Sequence, residues 1–252
     1  MTKADRRKIH LAQLHDSPVV ANCCMNRQRE LVGGNGYERE LGFNPISFLS
    51  DRIQAAPDRR LLWLDLCCGA GIALVQATKL LQASGSLSRA SIIGIDLVDA
   101  FVPYQASCLE LTACPVEDYL DAHPDLSADL VTCVHGMHYI GDKLDLLEQS
   151  SAHLSTDGRF VANIDLHSIK SKDGRSLRRQ IHSSIVQWGG SYLPRHRRLT
   201  LTGPYHRPMG LVFDRASDKA GPNYTGQESV DSYYDGAGDM PSVPRQLIEN
   251  TE

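Results

Sequence analysis

From Arg60 onward the chain alternates short apolar runs with stretches of helical spacing, and this alternation constrains the fold more than any other feature. The runs are LLWLDLCC (61–68), SIIGIDL (91–97), CLELTAC (108–114), DLVTCV (129–134) and RFVANIDL (159–166), with later ones at RRLTLTG (197–203) and MGLVFDR (209–215). Between the first five lie IALVQATKLLQA, a short DAFVPYQ, PVEDYLDA and KLDLLEQSSAHL. Short runs buried on both faces and separated by helices are the signature of βαβ units and a parallel sheet. The spacing predicts a doubly wound, mostly parallel seven-stranded α/β sheet, with the last two runs closing it as an antiparallel hairpin. Only eleven residues separate Asp96 from Cys108, Pro103 among them, so the second crossover helix is expected to be short or distorted.

The residues before this pattern read as a polar helical extension, 1–57, broken at Gly33-Gly34. Residues 46–56 carry apolar positions at helical spacing and Pro57 stops them. The α/β domain is expected over 58–217. The tail, 218–252, is rich in Gly and Pro, with Tyr224, Tyr233 and Tyr234; order is expected as far as Tyr234 because aromatic side chains gain by burial.

Of the 252 residues 42% are hydrophobic and 22% charged, with a formal net charge of −4, which disfavours a nucleic-acid-binding surface. No stretch reaches the ~18–20 apolar residues of a membrane span, and the first residues lack the apolar core of a secretory signal, so a cytoplasmic protein is expected. The seven cysteines form no CxxC pair and no finger-like spacing with histidine; they read as reduced thiols, with neither a metal site nor a disulfide framework expected. The sequence sets no oligomeric state.

Residues 62–73, Leu-Trp-Leu-Asp-Leu-Cys-Cys-Gly-Ala-Gly-Ile-Ala, end an apolar strand in Asp65 and turn through Gly69 and Gly71 into a helix. A turn without Cβ atoms lets a ligand approach the backbone, and the strand ends of an open α/β sheet form the binding crevice. Asp96 closes the second strand, where a carboxylate can take two ribose hydroxyls. The loop lacks the Lys-Ser/Thr of a phosphate-gripping loop and the full GxGxxG of a dehydrogenase.

Taken together, the strand–LDLCCGAG–helix segment, the GID of the second strand, ADLVTCVHGMHYIGDKLDLL and LSTDGRFV resemble a class I S-adenosylmethionine-dependent methyltransferase over residues 60–166. The resemblance implies S-adenosylmethionine as cofactor, with Gly69 and Gly71 at its amino-acid end and Asp65 holding the loop or the methionine ammonium. It further implies Asp96 on the ribose, Cys114, Val116 and Glu117 where adenine is wrapped, and His135 beginning the segment that passes the transferable methyl. Cys67 stands where the family has its first loop glycine, which suggests an ordinary φ there. Cys114-Pro115 replaces the family's acidic residue, leaving adenine to backbone groups, Glu117 or Asp118.

Methyl transfer from a sulfonium is an in-line displacement that asks for alignment, exclusion of water and sometimes removal of one proton. His138 can accept a proton near neutrality, with His167 as a rival, and Tyr139 can contact the sulfonium or orient the acceptor. The segment is not Asn/Asp-Pro-Pro-Tyr, so an oxygen, carbon or amine on a small molecule is the expected acceptor, possible in secondary metabolism. Arg27 or Arg29 is expected to grip the methionine carboxylate while Tyr37 closes over it. The basic cluster Arg175, Arg178, Arg179 and Arg195–Arg198 reads as a solvated face, with an anionic substrate, a carrier protein or RNA as alternatives; Trp188 and Tyr192 between its halves are a candidate substrate wall. Two other functions remain open from sequence: cyclisation of the cofactor's own amino-acid chain with release of methylthioadenosine, and cofactor binding without turnover.

Overall fold

The computed structural model describes residues 3–21, 28–56, 58–205 and 208–236. Its centre is a seven-stranded sheet made of β1 (Leu61–Leu66), β2 (Ala90–Asp96), β3 (Leu109–Ala113), β4 (Ala128–Cys133), β5 (Leu154–Asn163), β7 (Ser191–Leu193) and β8 (Arg198–Thr202), in the order β3-β2-β1-β4-β5-β8-β7. Strands β1 to β5 are mutually parallel, while β8 runs antiparallel to both β5 and β7. The order reverses between β1 and β4, and at such a switch point the flanking loops part to leave a crevice at the strands' C-terminal ends.

Local chemistry explains the helices. In α4 (Pro45–Ala55) the Asn44 side chain accepts from Ile46 and Ser47 N–H at 2.9 and 3.0 Å, Pro45 opens the first turn, and Leu49 and Ile53 fall on one buried face. α5 (Ile72–Ala83) starts at Gly71 and buries Ala73, Leu74, Ala77 and Leu81 against β1 and β2. α7 (Lys143–Ala152) is capped by Asp142, which accepts from Asp145 N–H at 3.2 Å, and buries Leu144, Leu146 and Leu147 in the opposite layer. The remaining helices are α1 (Lys3–His15), α2 (Pro18–Ala21), α3 (Tyr37–Leu41), α6 (Val116–Ala122) and α8 (Arg178–Gln187). No helix is long and apolar enough to cross a membrane among the described residues.

Two expectations are corrected. The closing hairpin joins β7 to β8, not 197–203 to 209–215. The latter run forms β9 (Leu211–Ser217), which leaves the main sheet and pairs antiparallel with β10 (Asp231–Gly236), itself parallel to β6 (Ile169–Ser171). β8 already has partners on both edges, so β9 finds its hydrogen bonds in this second, three-stranded sheet. The second correction concerns residues 97–108, which hold no helix: the chain returns through extended and turn backbone to an isolated bridge between Ala106 and Leu109.

The small sheet is fastened to the main domain by polar contacts. His10 of α1 bonds the Ala216 backbone of β9, and Arg7 pairs with Asp142 at 2.8 Å and Asp145 at 2.7 Å. Lys143, fully buried, donates to the carbonyls of Ile140 and Val230 and to Ser232 Oγ, at 2.8–3.1 Å. Burial lowers its amine to about 7. Tyr234 donates to Asp142 at 3.0 Å and accepts from Leu144 N–H.

Candidate active site

The loop after β1 turns through three left-handed residues, Cys67 (φ +60°), Gly69 (+63°) and Gly71 (+72°). The expected ordinary φ at Cys67 is therefore wrong: the path of the turn demands the left-handed region whatever residue occupies it, at about 1–2 kcal/mol for a residue with a Cβ. Packing holds it there. The side chain fills the space beside Gly136, where an added Cβ would lie 2.4 Å from Cys67 Cβ, and the thiol hydrogen-bonds with Cys133. That bond and burial push the Cys67 thiol well above its ordinary range. His135, before Gly136, is also left-handed (φ +60°), so a second strained residue adjoins the glycine against which Cys67 packs.

Asp96 straps the loop to β2. Its Oδ2 accepts from Gly69 N–H at 2.8 Å, its Oδ1 from Val98 N–H at 3.1 Å, and its backbone carbonyl from Cys114 N–H at 3.0 Å. Asp65 is deeper. Tyr37 donates to its Oδ2 at 2.7 Å and Thr132 to its Oδ1, while Trp63 Nε1 donates to Thr132 Oγ1 at 2.8 Å. Burial, opposed by these two bonds, raises the Asp65 carboxyl to about 7. Both oxygens are engaged within the protein and the residue lines neither the apolar cleft nor the polar chamber of the site, so Asp65 holds β1 to β4 and to α3. Tyr37 is not placed as a lid: it is buried, its ring edge-on to Trp63, and serves Asp65 from below.

A cleft opens over the strand ends, lined by Cys67, Gly69, Asp96 and Leu97, by Pro115, Val116 and Glu117, and by Val134, Gly136, Tyr139 and Ile140. His15 and Val20 of the N-terminal helices cover it. Its wall is mostly apolar with a few convergent polar groups, the usual make-up of a small-molecule site. Glu117 is one of them: it is buried, its Oε1 has no hydrogen-bond partner, and desolvation raises its carboxyl to about 7. An orphaned acceptor in an otherwise apolar wall suits a ligand that brings its own donor, such as an exocyclic amine. Cys114 is half-buried and does not line the cleft; its part is the backbone tie to Asp96. Cleft, glycine loop and Asp96 thus fit an adenosyl group.

Beside this cleft lies a second, polar chamber, open to solvent and lined by residues 28–30, 32–36, 39 and 40 together with His135, Arg195, His196, Tyr224, Thr225 and Gln227. The two meet at residues 135–139: His135 faces the chamber, Gly136 and Tyr139 the cleft, and the Tyr139 hydroxyl donates to Gln227 at 3.2 Å. Tyr224 sits with its hydroxyl 3.4 Å from both His135 Nδ1 and His138 Nε2. His135 Nε2 lies 3.1 Å from Glu40 Oε2, and this contact holds Glu40 below the usual carboxylate range.

His138 is itself buried behind Tyr224, and desolvation takes it well below its ordinary range, so it is neutral at pH 7 and reaches the chamber only through that hydroxyl. His167 is exposed and lines neither space. Arg27 lies outside the described residues; Arg29 donates to the Asn35 carbonyl at 2.9 Å and lies 3.8 Å from Glu40. Trp188 packs with its ring tilted against Tyr205, and Tyr192 donates to the Ile164 carbonyl; both belong to the core and line neither space. Tyr224, Glu40 and Thr132 were not foreseen as site residues. Thr132 has a visible signal, a lone hydroxyl inside an apolar strand run, whereas the others have none.

A glycine-turned nucleoside cleft at the switch point of a seven-stranded sheet with an antiparallel final pair defines a class I methyltransferase fold. Residues 38–211 match the family model described as a methyltransferase domain, and the chain belongs to that family, whose cofactor is S-adenosylmethionine. No curated protein matches the chain by sequence. Among solved structures, the plantazolicin methyltransferase BpumL in complex with a triazolic desmethylPZN analogue and SAH is 18% identical, over 64% of this chain and 53% of that one, with a TM-score of 0.40. The DszA carbon methyltransferase is 16% identical over 52% and 37%, with a TM-score of 0.41. A SAM-dependent methyltransferase from Archaeoglobus fulgidus is 18% identical over 50% and 55%, with a TM-score of 0.33. The chain thus spans about half the length, or less, of these structures.

Proposed function

We propose that the protein transfers a methyl group from S-adenosylmethionine to an oxygen, nitrogen or carbon of a small-molecule acceptor. The observation that carries this reading is the shared wall at residues 135–139, with a mostly apolar cleft holding Gly69, Asp96 and Glu117 on one side and an open polar chamber on the other. The cofactor supplies an electrophilic methyl, whose carbon–sulfur bonding pair leaves with the sulfur as the acceptor's lone pair forms the new bond.

The protein's own residues do the positioning. Asp96 and Glu117 hold the nucleoside, Gly69 lets it approach the backbone, and Tyr139 stands between the two spaces. Where the acceptor carries a proton, Tyr224 receives it while passing its own to His138 or His135 at 3.4 Å. Burial pushes the Tyr224 phenol up, so it enters this exchange protonated. An open chamber gives an acceptor entry, which favours intermolecular methylation over cyclisation of the cofactor.

Calorimetric titration with S-adenosylhomocysteine, with product analysis on an acceptor panel, tests the reading. Binding with adenosylhomocysteine as product is expected; no binding at millimolar ligand, or methylthioadenosine as product, overturns it.

A further inference from the structure

The polar chamber carries an imbalance of charge that the chemistry of methyl transfer does not require. Three arginines, Arg29, Arg39 and Arg195, line it with His196, against two acids, Glu30 and Glu40. Glu40 is engaged by His135 at 3.1 Å and by Arg29 at 3.8 Å. Arg39 gives Nη1 to the Gly34 carbonyl at 2.6 Å, and among the described residues no carboxylate lies within ion-pairing distance of Arg39 or Arg195. The neighbouring Arg197 is spent differently, paired with Asp165 at 3.0 Å and stacked 5.3 Å above the Tyr224 ring.

Two guanidinium groups without an ion pair among the described residues therefore face one concavity, whose wall includes Tyr224. Concave walls focus such a field, and a planar guanidinium matches the two oxygens of a carboxylate or phosphate. Arg175, Arg178 and Arg179, the other half of the basic cluster, line neither space.

We propose that the chamber selects an anionic acceptor, a carboxylate- or phosphate-bearing small molecule, gripped by Arg39 and Arg195 with His196 beside them. The proposal rests on the methyltransferase reading for the word acceptor, though not for the binding itself. Tyr224, 43% exposed, offers an aromatic ring at the chamber wall, so aromatic probes are apt.

The experiment titrates protein saturated with S-adenosylhomocysteine with benzoate, phenyl phosphate and the neutral isostere benzamide at low salt. Both anions, or one of them, are expected to bind about tenfold or more tighter than benzamide, the size expected of a charge-assisted contact. The stronger of the two identifies carboxylate or phosphate as the recognised group. Arg195→Glu with Arg39→Glu, both on exposed side chains, is expected to abolish the preference while the S-adenosylhomocysteine titration reports an intact fold. Equal affinity for anions and benzamide, or no anion binding while S-adenosylhomocysteine binds, overturns the proposal. Should S-adenosylhomocysteine fail to bind, the methyltransferase reading falls, and the same anion preference is measured on the protein alone.

Discussion

Asp65 lends itself to a quantitative test through the substitution Asp65→Asn. Its carboxyl stands at about 7 in the fold against 3.8 in water, chiefly because burial disfavours the charge. Below pH 4 the group is protonated in both the folded and unfolded chain and has no effect on stability. As pH rises from 4 to 7 the unfolded chain releases the proton while the folded one keeps it, so stability falls; above pH 7 the loss is complete. At roughly 1.4 kcal/mol per pKa unit the loss reaches about 4 kcal/mol. Asparagine keeps an oxygen for Thr132 or Tyr37 and cannot ionise. Glu117 and Lys143 also titrate near 7, yet they are common to both proteins and cancel in the difference. Urea unfolding at several pH values, followed by the fluorescence of the buried Trp63, should show Asp65→Asn gaining up to about 4 kcal/mol on the parent between pH 4 and 8. In thermal melts at pH 8 this corresponds to roughly 8–16 °C beyond the offset at pH 4. A difference that stays flat to within about 1 kcal/mol across that range would refute the argument that Asp65 is held neutral by burial.

Three further outcomes follow from the site. Asp96→Ala removes the acceptor for Gly69 N–H and the proposed ribose partner, and S-adenosylhomocysteine affinity by calorimetry should drop by about tenfold or more. Glu117→Gln should flatten the pH profile of that affinity: in the parent, binding is expected to strengthen as pH rises through about 7 and the carboxylate becomes able to accept from the ligand. Gly136→Ala places a methyl 2.4 Å from Cys67 Cβ and should cost about 1–3 kcal/mol in urea unfolding, since the loop beneath it has no room to give.

The parallel strands and the glycine turn were legible in sequence because each is a local pattern: an apolar run of five to seven residues, then an acid or a glycine at its end. The β7–β8 hairpin was not. β7 has three residues of which only Tyr192 is buried, too short for any periodicity to register. β9 was visible as a strand yet misplaced, because its partner β10 lies across a loop of thirteen residues without regular structure beyond one bridge and its other neighbours are set by the packing of α1.

At the site, Gly69 and Asp96 line the cleft, whereas Gly71 caps α5 and faces Leu111. The left-handed Cys67 was misjudged because sequence reveals what a residue prefers, whereas the turn and the space beside Gly136 decide what it does. Tyr37 looks like an exposed functional group in sequence and proves to be a buried partner of Asp65, a distinction only three-dimensional neighbours can draw. Tyr224 enters the site from a segment nearly ninety residues beyond His138, a separation over which no local motif operates.

Lys143 gives the last stretch of the chain a consequence beyond the pocket. Its amine depends on the carbonyl of Val230 and the hydroxyl of Ser232, supplied by residues that arrive only after some eighty-seven more have been joined to it. Proteolytic nicking or a premature stop ahead of position 230 would strand a desolvated base in the interior and withdraw Tyr224's support together with it. Quality control by unfolding and degradation would therefore be expected to clear such shortened products before they accumulate as half-active enzyme.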